Sequence, residues 1–194
     1  IGNIRRFGMN PVVAVNTFTT DTQEEVDWLL QWCAREGVAA AAADVWANGG
    51  GEDGGDALAA KVLEALAEPA DFHPLYPLDM PVEEKIRTVV RDIYGADDVE
   101  FALPALRRLE EIKAGGWDSL PVCMAKTQYS FSDNAALLGA PTGFTVHVRD
   151  LILKTGAGFV VALTGAVMTM PGLPKVPAAM RMDVAADGTP SGLS

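Results

Sequence analysis

The chain reads as an α/β protein, with a parallel-sheet βαβα part followed by a smaller, loop-rich α+β part. Three observations carry that expectation. A short apolar run at 11–16 (PVVAVN) suits a buried strand, and Val26, Leu29, Leu30 and Cys33 then recur at i, i+3, i+4 and i+7, the spacing of a helix face. A second apolar run, Val38 to Val45, precedes another helical pattern over 56–67. Strand, helix, strand, helix implies parallel strands joined by helical crossovers.

Local signals place each element. Thr22 with Glu25 three residues on is a capping box, and Gly37 ends the first helix. The run from Val38 is dominated by alanine, which favours helix by propensity. Gly37 behind it and the glycine cluster at 49–51 ahead leave too little room for a helix, so a strand is expected. The helix at 56–67 takes Asp56 as cap and sets Leu58, Val62, Ala65 and Leu66 on one face. A third helix, about 81–94, carries Val82, Ile86, Val89, Val90 and Ile93 on one face, with Pro81, Glu83 and Glu84 in its first turn. A fourth spans about 104–114, from Pro104 to Gly115-Gly116, and leads through Trp117 into a strand at 120–125. Phe144, Val146 and Val148 alternate with Thr145, His147 and Arg149, the period of a half-buried strand. Phe159 to Leu163 is a further strand. The division falls near residue 130, giving parts 1–130 and 131–194.

Composition narrows the function classes. Twenty-six acidic residues against fifteen basic give a formal charge of −11, which argues against non-specific binding to nucleic acid or to anionic membranes. No apolar stretch approaches the length of a membrane span, and no signal peptide is visible, so a soluble cytoplasmic protein is expected. Cys33 and Cys123 sit in apolar contexts and read as buried, reduced thiols. His73 and His147 are the only histidines, and neither has a partner at metal-ligand spacing. His73 reads as a loop residue and His147 as an exposed strand residue; no metal site is expected.

Phe18 and Trp46 are the residues to weigh for binding. Each falls just past the carboxyl end of a predicted parallel strand, the edge at which open α/β sheets bind ligands. On adjacent strands, about 4.8 Å apart, two such rings could stand on the order of 7 Å apart and admit one flat heteroaromatic ring between them. Alternatively, each ring covers a neighbouring helix. The Gly49–Gly51 and Gly54-Gly55 cluster can be read as a phosphate cradle, as a flexible loop beside Trp46 or as a plain turn; Glu52 and Asp53 oppose the first. Lys126, after the strand at 120–125, is a candidate anion-binding residue or a surface lysine. Asp133 and Asn134 suit a turn. Arg5 and Arg6 suit a solvated turn or interface more than an anion site.

Longer blocks point further. Met168-Thr169-Met170-Pro171-Gly172-Leu173-Pro174-Lys175-Val176-Pro177-Ala178-Ala179 sets Pro171, Pro174 and Pro177 among apolar residues that call for burial, in a stretch that can be neither helix nor inner strand. That segment, together with LPVCMAKTQYS at 120–130, LYPLD at 75–79, EKI at 84–86, IYGA at 93–96 and PVVAVNTFTTDT at 11–22, resembles the formate–tetrahydrofolate ligase family. The resemblance spans all 194 residues. It implies an ATP-dependent ligase, working with Mg2+ and in this family often a monovalent cation, that makes 10-formyltetrahydrofolate from formate and tetrahydrofolate through formyl phosphate. It implies that Phe18 and Trp46 sandwich the folate ring system on a platform within 1–130, and that the assembly is a homo-oligomer, a tetramer in the family. Two positions depart from the pattern: Thr17 stands where a basic residue is common, and Thr19 where proline is. No GxxxxGK[ST] phosphate loop occurs and no initiator methionine opens the chain. It therefore resembles the C-terminal portion of the ligase, inactive without a missing N-terminal ATP-binding portion where the catalytic residues are expected. The alternative is a structural or oligomerisation module without ligand binding of its own.

Overall fold

The computed structural model describes residues 1–51, 54–165 and 175–192. A single-turn helix α1 (Gly2–Arg5) leads into β1 (Val12–Asn16), α2 (Gln23–Arg35), β2 (Ala39–Ala43), a second single turn α3 (Val45–Asn48) and α4 (Asp56–Ala67). β1 and β2 are parallel, in register from Val12 opposite Ala39 to Asn16 opposite Ala43. The capping box forms as the sequence indicates: the Thr22 hydroxyl accepts from the Glu25 amide, and the Glu25 carboxylate accepts from the Thr22 amide at 2.9 Å. Gly37 adopts φ +62°, a conformation that costs glycine little. The Arg5 guanidinium donates to the Gly37 carbonyl at 2.8 Å, so a cation closes the end of α2.

β2 is five consecutive alanines. Tertiary context overrides their helix propensity: a strand of methyl side chains lets α2 and α4 approach the sheet closely. The helices are less buried than their spacing predicts. Val26 and Cys33 of α2 are buried, but Leu29 is 40% exposed. No residue of α4 is buried, and Leu66 is 75% exposed. Gly55, not Asp56, is the cap of α4.

The second layer begins at α5 (Val82–Val89), which widens into a π-helical turn at Val90–Tyr94 and stops at Gly95 in the left-handed region. The single helix expected over 81–94 is therefore two segments. The wider turn sends Val90 and Tyr94 inward along with Val82 and Ile86. β3 (Asp98–Phe101), α6 (Leu103–Ala114), β4 (Val122–Ala125), β5 (Thr145–Lys154) and β6 (Phe159–Thr164) complete a four-stranded sheet of order β3-β5-β6-β4. β3/β5 and β4/β6 are parallel and β5/β6 antiparallel, so this sheet is mixed and draws strands from both sides of residue 130. Val146, Val148, Val160 and Ala162 alternate into its core with no exposed surface.

Lys85 lies wholly inside this layer. Its ammonium donates to the carbonyls of Asp118 (3.1 Å) and Leu120 (2.9 Å) and stands 6.0 Å from the Tyr76 ring. Burial pushes its pKa down, partly offset by the Asp118 and Asp79 carboxylates. The Asp118 carboxylate also accepts from the Val82 amide at 2.9 Å, starting α5. Cys33 is buried, but Cys123 is exposed, contrary to the expectation for both. β4 is an edge strand, and its alternation gives Val122 and Met124 to the core and turns Cys123 away from it.

A 3-10 turn (Ala178–Met180) and a two-residue hairpin, β7 (Asp183–Val184) with β8 (Pro190–Ser191), end the description. Met168, Met170, Pro171, Leu173 and Pro174 of the proline-rich segment, and Glu52 and Asp53, lie outside the described residues. Val176, expected to be buried, is 71% exposed because no described residue covers it. Among the described residues no helix is long and apolar enough to cross a membrane.

Candidate functional site at the carboxyl edge of the parallel pair

β1 and β2 deliver their following loops side by side. The Thr17 amide and hydroxyl both reach the Ala43 carbonyl, at 3.0 and 3.3 Å, tying the end of β1 to the end of β2. Phe18 opens a tight turn in which the Asp21 amide donates to the Phe18 carbonyl (3.0 Å) and the Asp21 carboxylate accepts from the Phe18 amide (2.9 Å). That turn runs directly into the Thr22 cap of α2. Two local interactions thus hold the Phe18 loop without a proline at Thr19. The Phe18 ring is 59% exposed, although burying a phenylalanine is worth about 1.5–3 kcal/mol.

Trp46 sits on α3, whose first turn is closed by the Asp44 carboxylate accepting from the Ala47 amide and the Asn48 side-chain amide. Its ring is 84% exposed. The glycine loop fixes this turn. Gly54 donates to the Gly51 carbonyl and accepts from the Asp44 amide at 3.0 Å, so the chain folds back onto the end of β2 as a packed turn. A cleft of about 240 Å³ lies at this edge, lined by Phe18, Asp21, Gln23, Ala42, Ala43 and Asp44 among others. That is smaller than the roughly 300–1,000 Å³ of pockets that enclose whole small molecules, and better matched to one ring system. Trp46 does not line it; its ring projects from the adjacent loop.

Lys126 follows β4 but does not stand free in solvent. Its ammonium donates to the Thr127 carbonyl (2.8 Å) and the Ser130 carbonyl, and lies 5.7 Å from the Tyr94 ring and 5.3 Å from the Phe131 ring. Desolvation pushes its pKa down, and burial pushes the Tyr94 phenol up. One ammonium hydrogen is left for a further acceptor. His73 is a loop residue, with Nδ1 2.7 Å from the Asp71 carbonyl. His147 is exposed but engaged: Nδ1 is 3.0 Å from the Asp133 carboxylate and Nε2 3.5 Å from Glu100. Asp133 thus anchors β5 as well as opening the turn at Asn134, a tertiary contact without local sequence signal.

A second concavity, about 680 Å³ and strongly apolar, lies between the LYPLD block and the π turn, lined by Phe7, Phe72, Tyr76, Leu78, Ile93 and Met124 among others. Sequence reasoning did not find it, because its wall comes from four separate segments. Among the described residues no group of three or more His, Cys, Asp or Glu side chains could hold a metal ion.

Comparison with known proteins is consistent along the whole chain. The family model for formate–tetrahydrofolate ligase matches residues 1–194. The formate–tetrahydrofolate ligase of Paenarthrobacter aurescens (strain TC1) is 69% identical over 193 residues, that of Arthrobacter sp. (strain FB24) 70%, and that of Staphylococcus aureus (strain JH9) 53%. Each alignment covers 100% of this chain and 34% of the relative, so the chain spans about a third of the length of these proteins. It belongs to the formate–tetrahydrofolate ligase family.

Proposed function

We propose that this chain is the folate-positioning part of an ATP-dependent formate–tetrahydrofolate ligase. The observation that carries the reading is the pair Phe18 and Trp46: two large aromatics, mostly exposed, on neighbouring strand-to-helix loops at the carboxyl edge of a parallel pair. In the overall reaction formate attacks the γ-phosphate of ATP, giving formyl phosphate and ADP. The N10 of tetrahydrofolate then attacks the formyl carbon and phosphate leaves. Activation is needed because a carboxylate oxygen is a poor leaving group until it is phosphorylated. The sequence carries no GxxxxGK[ST] phosphate loop to cradle ATP. The phosphoryl step is accordingly assigned to the remaining polypeptide, and the isolated chain is expected to be inactive.

What this chain contributes is position. Phe18 and Trp46 stack on the pterin ring, fixing the distance and angle at which N10 meets the formyl carbon; such orientation is a large share of catalysis in two-substrate reactions. The free hydrogen of the Lys126 ammonium is offered to an anionic group of the ligand. Calorimetric titration with tetrahydrofolate tests the reading: the parent chain saturates and Trp46→Ala does not.

A second reading, an oligomerisation module, is favoured by the exposed apolar face of α4 at Leu63 and Leu66. It requires that Leu66→Glu lower the assembly mass and that tetrahydrofolate produce no heat with either the parent or Trp46→Ala.

A further inference from the structure

Of the asparagines in the sequence, Asn3, Asn10, Asn16, Asn48 and Asn134, only Asn48 is followed by glycine. That pair ends α3, the turn on which Trp46 stands. α3 has four residues, none of them buried, and both Asn48 and Gly49 are exposed. Three hydrogen bonds hold the pair. The Asn48 amide donates to the Asp44 carbonyl (3.0 Å), the Gly49 amide to the Val45 carbonyl (3.0 Å), and the Asn48 side-chain amide to the Asp44 carboxylate (3.2 Å). A single turn with no buried side chain opens at little cost. Once it opens, the Gly49 nitrogen is free to approach the Asn48 side-chain carbonyl carbon, and glycine brings no Cβ to crowd that approach.

We propose that Asn48 is a site of spontaneous covalent modification, at which loss of the side-chain amide opens the turn that carries Trp46. The Gly49 backbone nitrogen gives up its proton to solvent and attacks Cγ of Asn48. A bond from that nitrogen to Cγ forms, the bond from Cγ to Nδ2 breaks, and Nδ2 takes a proton from solvent and leaves as ammonia. The product is a five-membered succinimide. Water opens the ring at one carbonyl to give aspartate, or at the other to give isoaspartate, with the backbone rerouted through the side chain. In sum one water is consumed, one ammonia is released, and a neutral amide becomes a carboxylate. Asp44 makes the change consequential, because its carboxylate accepts from the Ala47 amide and from Asn48 Nδ2. After conversion the second donor is gone, and a new negative charge stands four residues from Asp44, a repulsive spacing on a helix. Isoaspartate also lengthens the backbone by one carbon within the turn. The inference rests on this turn and its chemistry, not on folate binding, and its test contains no folate.

The experiment incubates the folded chain in mildly alkaline buffer beside a urea-unfolded sample. The peptide bearing Asn48 is followed by mass spectrometry, with aspartate and isoaspartate products separated. Asn48 should convert in the folded chain at a rate within about 100-fold of that in urea, since so small a turn opens often. Asn3, Asn16 and Asn134, each followed by a residue with a side chain, should stay intact over the same period. Asn48→Asp then reproduces the charge directly. In amide hydrogen exchange it should lose the slowing that α3 gives Ala47 and Gly49, while the Val160 amide, bonded to the Pro121 carbonyl in the core, stays slow. An intact Asn48 in the folded chain, when the unfolded chain has converted, overturns the inference. So does conversion of Asn134 at the same pace, because the glycine then has no part in it. Unchanged exchange at Ala47 and Gly49 in Asn48→Asp also overturns it, because the turn then tolerates the new charge.

Discussion

Gly54 links the fold to the candidate site, and replacing it has a calculable effect. A Cβ on Gly54 would lie 1.9 Å from the Gly49 carbonyl oxygen and 2.9 Å from its carbon. Both are backbone atoms, so no rotamer change relieves the contact, and the loop must open by more than an ångström. The first interaction lost is the Gly54 carbonyl accepting from the Asp44 amide. An orphaned backbone donor costs about 1–3 kcal/mol, and overpacking adds a similar amount where the surroundings resist. Gly50→Ala is the control, because a Cβ there meets nothing within 4 Å; it should be neutral, or stabilising by up to about 1 kcal/mol through the unfolded chain. Urea unfolding of both variants checks the difference, which should be at least about 2 kcal/mol. Because Asp44 also closes the turn bearing Trp46, Gly54→Ala should weaken tetrahydrofolate binding while Gly50→Ala leaves it unchanged. Equal stability of the two variants would refute the reasoning.

Lys85→Ala should destabilise by about 2–4 kcal/mol in chemical unfolding, since it opens a cavity and strips the Asp118 and Leu120 carbonyls of their donor. Ile86→Ala, the next residue of α5 and part of the same core, should cost about 2–5 kcal/mol, while Leu63→Ala, 68% exposed, should stay within about 0.5 kcal/mol. The Glu25 carboxyl is held below its ordinary range by the Thr22 amide and hydroxyl. A lowered folded pKa stabilises above the unfolded value and ceases to as pH falls through the folded one. The melting temperature should therefore drop below about pH 4.5 in part through this pair, and Thr22→Ala should flatten that limb of the profile.

What was legible in the sequence follows from what is local. Thr22 with Glu25, Gly37 and the run of Val82, Ile86 and Val90 act within one or two turns, and the helices they define are found within a few residues of the expected ends. β2 was legible only by elimination, because alanine carries no strand preference of its own. β3 was not legible: Asp98-Val99-Glu100-Phe101 is short and half acidic, and becomes a strand through its register with β5. Lys85 carries no local signal of burial, because a lysine directly after Glu83 and Glu84 resembles a solvated face; only tertiary contacts place three backbone and ring partners around it. The loops bearing Phe18 and Trp46 were legible, since strand ends and following caps locate them. The closures that hold them, Thr17 on Ala43 and Asp44 on Gly54, span 26 and 10 residues and carry no motif.

Magnetisation transfer between bound tetrahydrofolate and the aromatic rings tests the central claim most directly. In intermolecular NOE spectra, the pterin-side protons at C7 and C9 should show contacts to ring protons of both Phe18 and Trp46, lost for each ring in the corresponding leucine variant. Saturable binding with contacts to neither ring, or to protons lining the 680 Å³ apolar groove instead, would contradict the account.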